Sequence, residues 1–178
     1  IKHNNIVCLA LANLAHVRIL QNEPTTAVSL LTRCLDLATE TGSKERIAEA
    51  QWLLGEAYLG LAELDAAQTA AEQALAIATE MGRRLYEGNA LRTLGKIAHR
   101  RAERAMAENY LQRSIAVLGA SKNRFELAKS QYQLALIQRD AGKPDEARAT
   151  LEQALSVFTQ LGAEFERVRT RAELDRLG

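Results

Sequence analysis

Proline, aromatic residues and cysteine are all scarce in this 178-residue chain, and no sign of charge dominates. Only two prolines interrupt it, so regular backbone can run long. Aromatics make up 4% of the residues, too few, with too little β-branching, for a sandwich or barrel. The two cysteines, Cys8 and Cys34, show no CxxC or Cys/His metal spacing, which excludes a disulfide mini-protein. They read as small buried thiols in a reducing compartment, with a disulfide or a reactive thiol as the lesser alternative. No apolar run approaches the ~18 residues a membrane span needs, and the start at Ile1 carries no signal-peptide pattern. The expectation is a cytoplasmic piece of a longer protein. Charge excess is missing too: 23 basic against 22 acidic residues leave +1, and with 47% hydrophobic residues this argues against disorder. What is abundant is Ala, 31 residues, and Leu, 27.

Shifted by 40 residues, the sequence falls on itself. Leu14, Leu54, Leu94, Leu134 and Leu174 share one phase, followed directly by Ala15, Gly55, Gly95 and Ala135. Ala27, Ala67, Ala107 and Ala147 share another, and Cys34, Ala74, Ser114 and Ala154 are all small. Gly42, Gly82 and Gly162 align, with Lys122 in the remaining copy, and the prolines Pro24 and Pro144 are three periods apart. Within a period, apolar residues recur at steps of three and four, as in Leu54, Ala57, Tyr58 and Leu61, then Ala67, Ala70, Ala71 and Ala74. Each unit is therefore two amphipathic helices. The prolines fall where the second helix starts and its missing N–H costs nothing. The glycines fall where the second helix ends in a left-handed cap. Small residues at the Gly55 and Ala67 phases let the paired helices cross closely, and Gly88 implies another close backbone approach.

These residues resemble the tetratricopeptide repeat. Leu54-Gly55, Tyr58, Ala67 and Ala74 follow its pattern in order, whereas Trp52 sits one place off the usual aromatic position and the final Pro is absent. The 40-residue unit is similar to the repeats of large bacterial signalling ATPases, including maltose-activator-type transcription regulators, and of polarity and motor adaptor proteins. The runs at 153–163 and 169–174 look most like array ends in those ATPases. The resemblance implies an all-α, right-handed solenoid of about four and a half repeats and nine helices, forming one domain over 1–178. Repeats span 1–41, 42–81, 82–121 and 122–161, with a capping helix in 162–178. The helices are expected at 5–22, 24–41, 44–61, 64–81, 84–101, 104–119, 124–141, 144–161 and 164–176. Asp175 stands where the array wants Ala or Gly, which marks the ninth helix as a cap. The first helix is apolar nearly all round (Ile6, Val7, Leu9, Leu11, Leu14, Val17, Ile19, Leu20), so further repeats, another domain or self-association should cover it.

In this family the first helices of successive repeats line a concave groove. Carried over by phase, the groove residues are Asn13 and His16; Glu49, Trp52 and Glu56; Asn89, Arg92, Lys96 and His99; and Lys129, Tyr132 and Arg139. Spacings of three, four and seven put each set on one helix face. Residues 1–82 carry 5 basic and 10 acidic residues, 83–148 carry 14 and 7, and 149–178 carry 4 and 5, so near-neutrality hides a dipolar surface. Either these are solvated helix faces, or the third and fourth repeats offer a basic concave patch to an acidic peptide or a carboxylate. Arg92, Lys96 and Lys129 match the family's C-terminal carboxylate clamp only loosely, and its partnering Asn is missing, so no clamp is assigned. Trp52 is either a binding anchor or packing between first helices.

His3, His16 and His99 are scattered, and no HExxH, nucleophile triad, GxGxxG or P-loop occurs. No catalytic residue, metal or cofactor is expected. Nucleic-acid binding is not expected either, because stacking platforms are few and the charge is balanced. The leading expectation is a non-catalytic scaffold that binds a protein or peptide on its concave face, as a regulatory segment of a bacterial signalling or transcription-regulator protein. The alternative is an effector sensor holding a small molecule or signalling peptide between first helices. A closed apolar cavity near Trp52 and Tyr132 would favour the sensor, an open basic trough the peptide binder.

Overall fold

The computed structural model describes residues 2–178, with side chains from Asn4 onward, so His3 contributes backbone only. Among the described residues there are nine α-helices: α1 (Lys2–Leu20), α2 (Pro24–Glu40), α3 (Lys44–Gly60), α4 (Leu64–Glu80), α5 (Arg84–Arg100), α6 (Arg104–Gly119), α7 (Arg124–Asp140), α8 (Pro144–Gln160) and α9 (Glu164–Arg176). Most boundaries fall within one residue of the sequence expectation; α1 begins three residues earlier and stops two sooner.

The helix ends explain the period. Gly42, Gly82 and Gly162 adopt positive φ after α2, α4 and α8, as their spacing implies. A second phase was not evident from composition: Asn22, Ala62, Ala102 and Gly142 take the same left-handed conformation after α1, α3, α5 and α7. Each makes the paired bonds of a Schellman turn. At α3, Ala62 N–H donates to Leu59 O at 3.2 Å and Glu63 N–H to Tyr58 O at 3.0 Å. The turn after α6 differs, because Lys122 occupies the glycine phase: Ser121 Oγ instead donates to Leu118 O at 2.7 Å. Pro24 and Pro144 each open a second helix.

Helices pair within a repeat, and each pair packs on the next, with α1, α3 and α5 also touching the following first helix. The small-residue phases are the crossing points. A Cβ on Gly55 would lie 3.3 Å from Ala67 O, and one on Gly88 would lie 2.4 Å from Leu118 Cγ, inside any tolerable contact. Cys8 and Cys34 occupy the equivalent crossing of α1 and α2, both free and buried, each thiol donating to the other residue's carbonyl at 3.5 and 3.4 Å. Burial and the neighbouring Cys8 push the Cys34 thiol up to about 12, so it is a protonated packing group. In the third repeat Ser114 replaces the thiol and donates to Gly88 O at 2.7 Å.

Leu54, Leu94, Leu134 and Leu174 are buried by the preceding helix pair, whereas Leu14, in the same phase, is 43% exposed. Ile6, Leu9, Val17 and Leu20 are exposed on α1 as well. Asp175 on α9 points to solvent. No described helix is long and apolar enough to cross a membrane.

Candidate functional site: a cavity shared by the first helices

Every first helix contributes to one half-open cavity of about 250 Å³. Its lining comes from α1 (His16, Ile19, Leu20), α3 (Trp52, Leu53, Glu56), α5 (Arg92, Lys96), α7 (Phe125, Lys129, Tyr132, Gln133) and α9 (Phe165, Glu166, Arg169, Thr170). Phe158 of α8 forms its floor together with Phe125, the rings edge-to-face at 5.9 Å between centroids. Because the solenoid curves, α1 and α9 meet the same cavity although some 150 residues separate them.

The α3–α5 side is closed electrostatically. Glu56 pairs with Lys96 through Oε2 and accepts from Thr93 Oγ1 at 2.6 Å through Oε1. Burial alone would raise this carboxyl, but Lys96, Thr93 and Arg92 outweigh it and hold Glu56 at about 2. Trp52 is only 7% exposed, edge-to-face with His16 at 5.9 Å. It is packed among core residues and also walls the cavity, so the two readings of Trp52 describe one position. Burial, then Lys129, holds the His16 imidazole below its ordinary value.

On the α5–α7 side, Arg92 is buried and held by three hydrogen bonds. It donates to Glu126 Oε2 at 2.6 Å, to Glu126 O at 3.2 Å and to Ser130 Oγ at 3.4 Å. Ser130 Oγ lies 2.8 Å from Ser114 Oγ, so this network runs from the cavity wall into the helix crossing. Glu126 gives its other oxygen to Lys129 at 3.3 Å. Burial opposes its ionisation, yet the two cations keep Glu126 below the usual carboxylate range. The Lys129 ammonium is pushed down by burial and by Arg92, and lies 5.4 Å from the Phe125 ring centroid. Arg169 stacks on Tyr132 at 4.7 Å. Burial raises the Tyr132 phenol.

Of the residues assigned by phase, His16, Trp52, Glu56, Arg92, Lys96, Lys129 and Tyr132 meet in the cavity. The others do not line it. Asn13 is exposed on α1, and Glu49 pairs with Arg46, its carboxyl raised by burial. Asn89 is buried with Oδ1 lacking a protein partner. His99 contacts Asp140 at 3.1 Å, and Arg139 bridges Asp140 and Glu173. The basic ladder of the third and fourth repeats is thus largely ion-paired within the protein, Lys96 by Glu56, Arg92 by Glu126 and Arg139 by Asp140 and Glu173.

Sequence reasoning missed Phe125, Glu126, Phe165 and Arg169. The signal was present: Phe125 and Phe165 share a phase, and Arg169 continues the phase of Glu49, Asn89 and Lys129. Treating α9 only as a cap hid Phe165 and Arg169, and Phe125 and Glu126 lie at phases that were not assigned to the groove. No group of three or more potential metal ligands occurs among the described residues. What the arrangement offers is recognition: aromatic walls, fixed ion pairs and a few cations not fully matched.

Models of the tetratricopeptide repeat match residues 6–80 and 121–159. A curated human relative, tetratricopeptide repeat protein 29, is 24% identical over 135 residues, which cover 76% of this chain and 28% of that protein. The chain therefore spans little more than a quarter of this relative. Among solved structures, a Rap protein in complex with the competence and sporulation factor superposes with a TM-score of 0.84 at 15% identity, covering 95% of this chain and 47% of that one. The tetratricopeptide repeat sensor protein of the STAND ATPase class from Pyrococcus horikoshii gives a TM-score of 0.71 at 16% identity, covering 94% and 26%. At these identities the likeness is one of fold.

Proposed function

This chain belongs to the tetratricopeptide repeat family, and from that premise we propose that it is a non-catalytic interaction module whose concave face binds a peptide or a partner domain. The observation that carries the proposal is the single cavity lined by all five first helices, with aromatic side chains and charges arranged as at binding hot spots. The fold likeness to a Rap protein complexed with the competence and sporulation factor and to an ATPase with a repeat sensor supports a regulatory segment of a larger signalling or transcription-regulator protein, acting in the cytoplasm. An acidic partner is favoured by the cations of α7 and α9, and the exposed apolar residues of α1 support self-association. The test is selection of binders from a displayed peptide library. Concave-face binders that compete with one another and weaken on Tyr132→Ala or Lys129→Glu support the module; binders mapping only to the convex second helices would overturn it.

The sensor reading is favoured by one feature, the cavity of about 250 Å³ that Trp52 and Tyr132 both line. It has aromatic walls but is half-open, so it suits a short segment or a small ligand better than an extended trough would.

A further inference from the structure

We propose that the cavity takes an amphipathic monoanion, its single carboxylate held at Lys129 and Arg169 and its apolar body laid against Trp52, Phe125 and Phe165. This rests on the concave face being the binding surface and narrows that reading to a ligand chemistry.

The charge inventory points to one negative charge. The wall holds four cations, Arg92, Lys96, Lys129 and Arg169, with Glu56 and Glu166 lining it and Glu126 behind. Lys96 is matched by Glu56, and Arg92 takes the shorter contact to Glu126. Lys129 is left with the other oxygen of that carboxylate at 3.3 Å, although an ammonium carries three donors. Arg169 lies over the Tyr132 ring and makes no ion pair among the described residues, even with Glu166 one turn earlier. His16, held neutral by its burial, adds no charge. The excess is one positive charge, beside aromatic rings and partly out of water. An anion delivered there gains more than it would at an open surface. A phosphate dianion or a polyphosphate would overbalance it.

The apolar body follows from the rims. Leu20 on α1 and Phe165 on α9 are 72% and 70% exposed, and both line the cavity. Large apolar side chains that converge on one hollow are an invitation to an apolar group. About 250 Å³ lies below the ~300–1,000 Å³ usual for drug-sized ligands, so the fitting group is an aromatic acid or the terminal residue of a peptide.

Trp52, the only tryptophan, makes the test direct, because its fluorescence reports on the cavity wall. The intact chain is titrated with 3-phenylpropanoate, the neutral 3-phenylpropanamide and the cationic 2-phenylethylamine. The acid is expected to saturate with affinity about tenfold above the amide, and the amine to leave the signal unchanged. Lys129→Gln and Arg169→Gln should each bring the acid toward the amide while leaving amide binding alone. Phe165→Ala should weaken both. Circular dichroism checks that these variants fold, as expected for exposed Phe165 and Arg169 and for half-buried Lys129, whose carboxylate partner keeps Arg92. A short peptide ending in Phe, with a free or an amidated C terminus, identifies the source. Tighter binding of the free-ended peptide assigns the carboxylate to a protein terminus, tighter binding of the small acid to a free metabolite, and either supports the proposal. Equal affinity of acid and amide, indifference to both cation substitutions, or no saturable response to acid or peptide would overturn it. Peptide-library binders that occupy the concave face but ignore Lys129 and Arg169 would overturn this inference and leave the module reading standing. Absence of any concave-face binder would remove both.

Discussion

The two sides of the cavity are built from the same repeat and solve the burial of charge differently. On the α3–α5 side, Glu56 and Lys96 complete each other and Thr93 satisfies the remaining carboxylate oxygen, with Trp52 packed beside them. On the side toward α7 and α9, Arg92 reaches across from α5 to share Glu126 with Lys129, Arg169 stacks on a ring, and Phe165 projects into solvent. The first side behaves as core that happens to border a hollow. The second keeps unspent donors and exposed apolar surface, which is where a binding surface differs from a merely folded one.

The contrast is broken most sharply by truncating one aromatic on each side. Trp52→Ala should cost about 3–5 kcal/mol in denaturant unfolding, because its volume is lost from packed surroundings. Phe165→Ala should stay within about 0.5 kcal/mol, because its ring is largely in water. Next comes acid. The folded-state pKa of Glu56 is depressed from 4.5 to about 2, so its contribution to stability is present in full above pH 4.5 and is lost as the pH falls toward 2. That contribution is up to about 3 kcal/mol, and Glu56→Gln should flatten this part of the stability–pH curve. Glu126→Gln should then cost about 1–3 kcal/mol, since it strands buried Arg92, while Lys129→Gln should cost less than about 0.5 kcal/mol because Arg92 retains the carboxylate. Near-equal losses from those two variants would mean that Lys129 is as firmly committed to Glu126 as Arg92 is.

A further effect, of opposite sign, concerns the turns. Ala62 and Ala102 close α3 and α5 with φ near 60°, where the α7 turn has Gly142. A left-handed Ala is strained and a Gly is not, so Ala62→Gly and Ala102→Gly should raise stability by about 0.5–1 kcal/mol. Gly142→Ala should lower it by a similar amount, measured by thermal or urea unfolding.

Much of this architecture could be read without coordinates because a repeat states each constraint several times. The Leu54-Gly55 and Ala67 phases mark the helix crossing, and Pro24 and Pro144 mark one helix start. The left-handed phase after the first helices was harder to see, since Asn22, Ala62 and Ala102 precede a single glycine at 142. Schellman geometry there is imposed by the packing of the next helix, and the cost of a left-handed alanine is small beside it. The groove was legible as a phase but not as a site. Phase placed Asn13, Glu49, Asn89, His99 and Arg139 on the same faces as the cavity residues. It carried no information on how tightly the solenoid curls, and that curvature decides which turns of five helices converge.

The sequence by itself determined the period, the helix pairs, the crossing points and the family, because each is a local pattern that backbone and side-chain volume enforce again in every repeat. Only the tertiary structure decided which cations are matched. The partners of Arg92, Lys96 and Arg139 come from neighbouring repeats, 34 or 40 residues away in the chain. Charge pairing depends on distances of a few ångströms between helices, and a count of basic residues, however uneven along the chain, does not contain them.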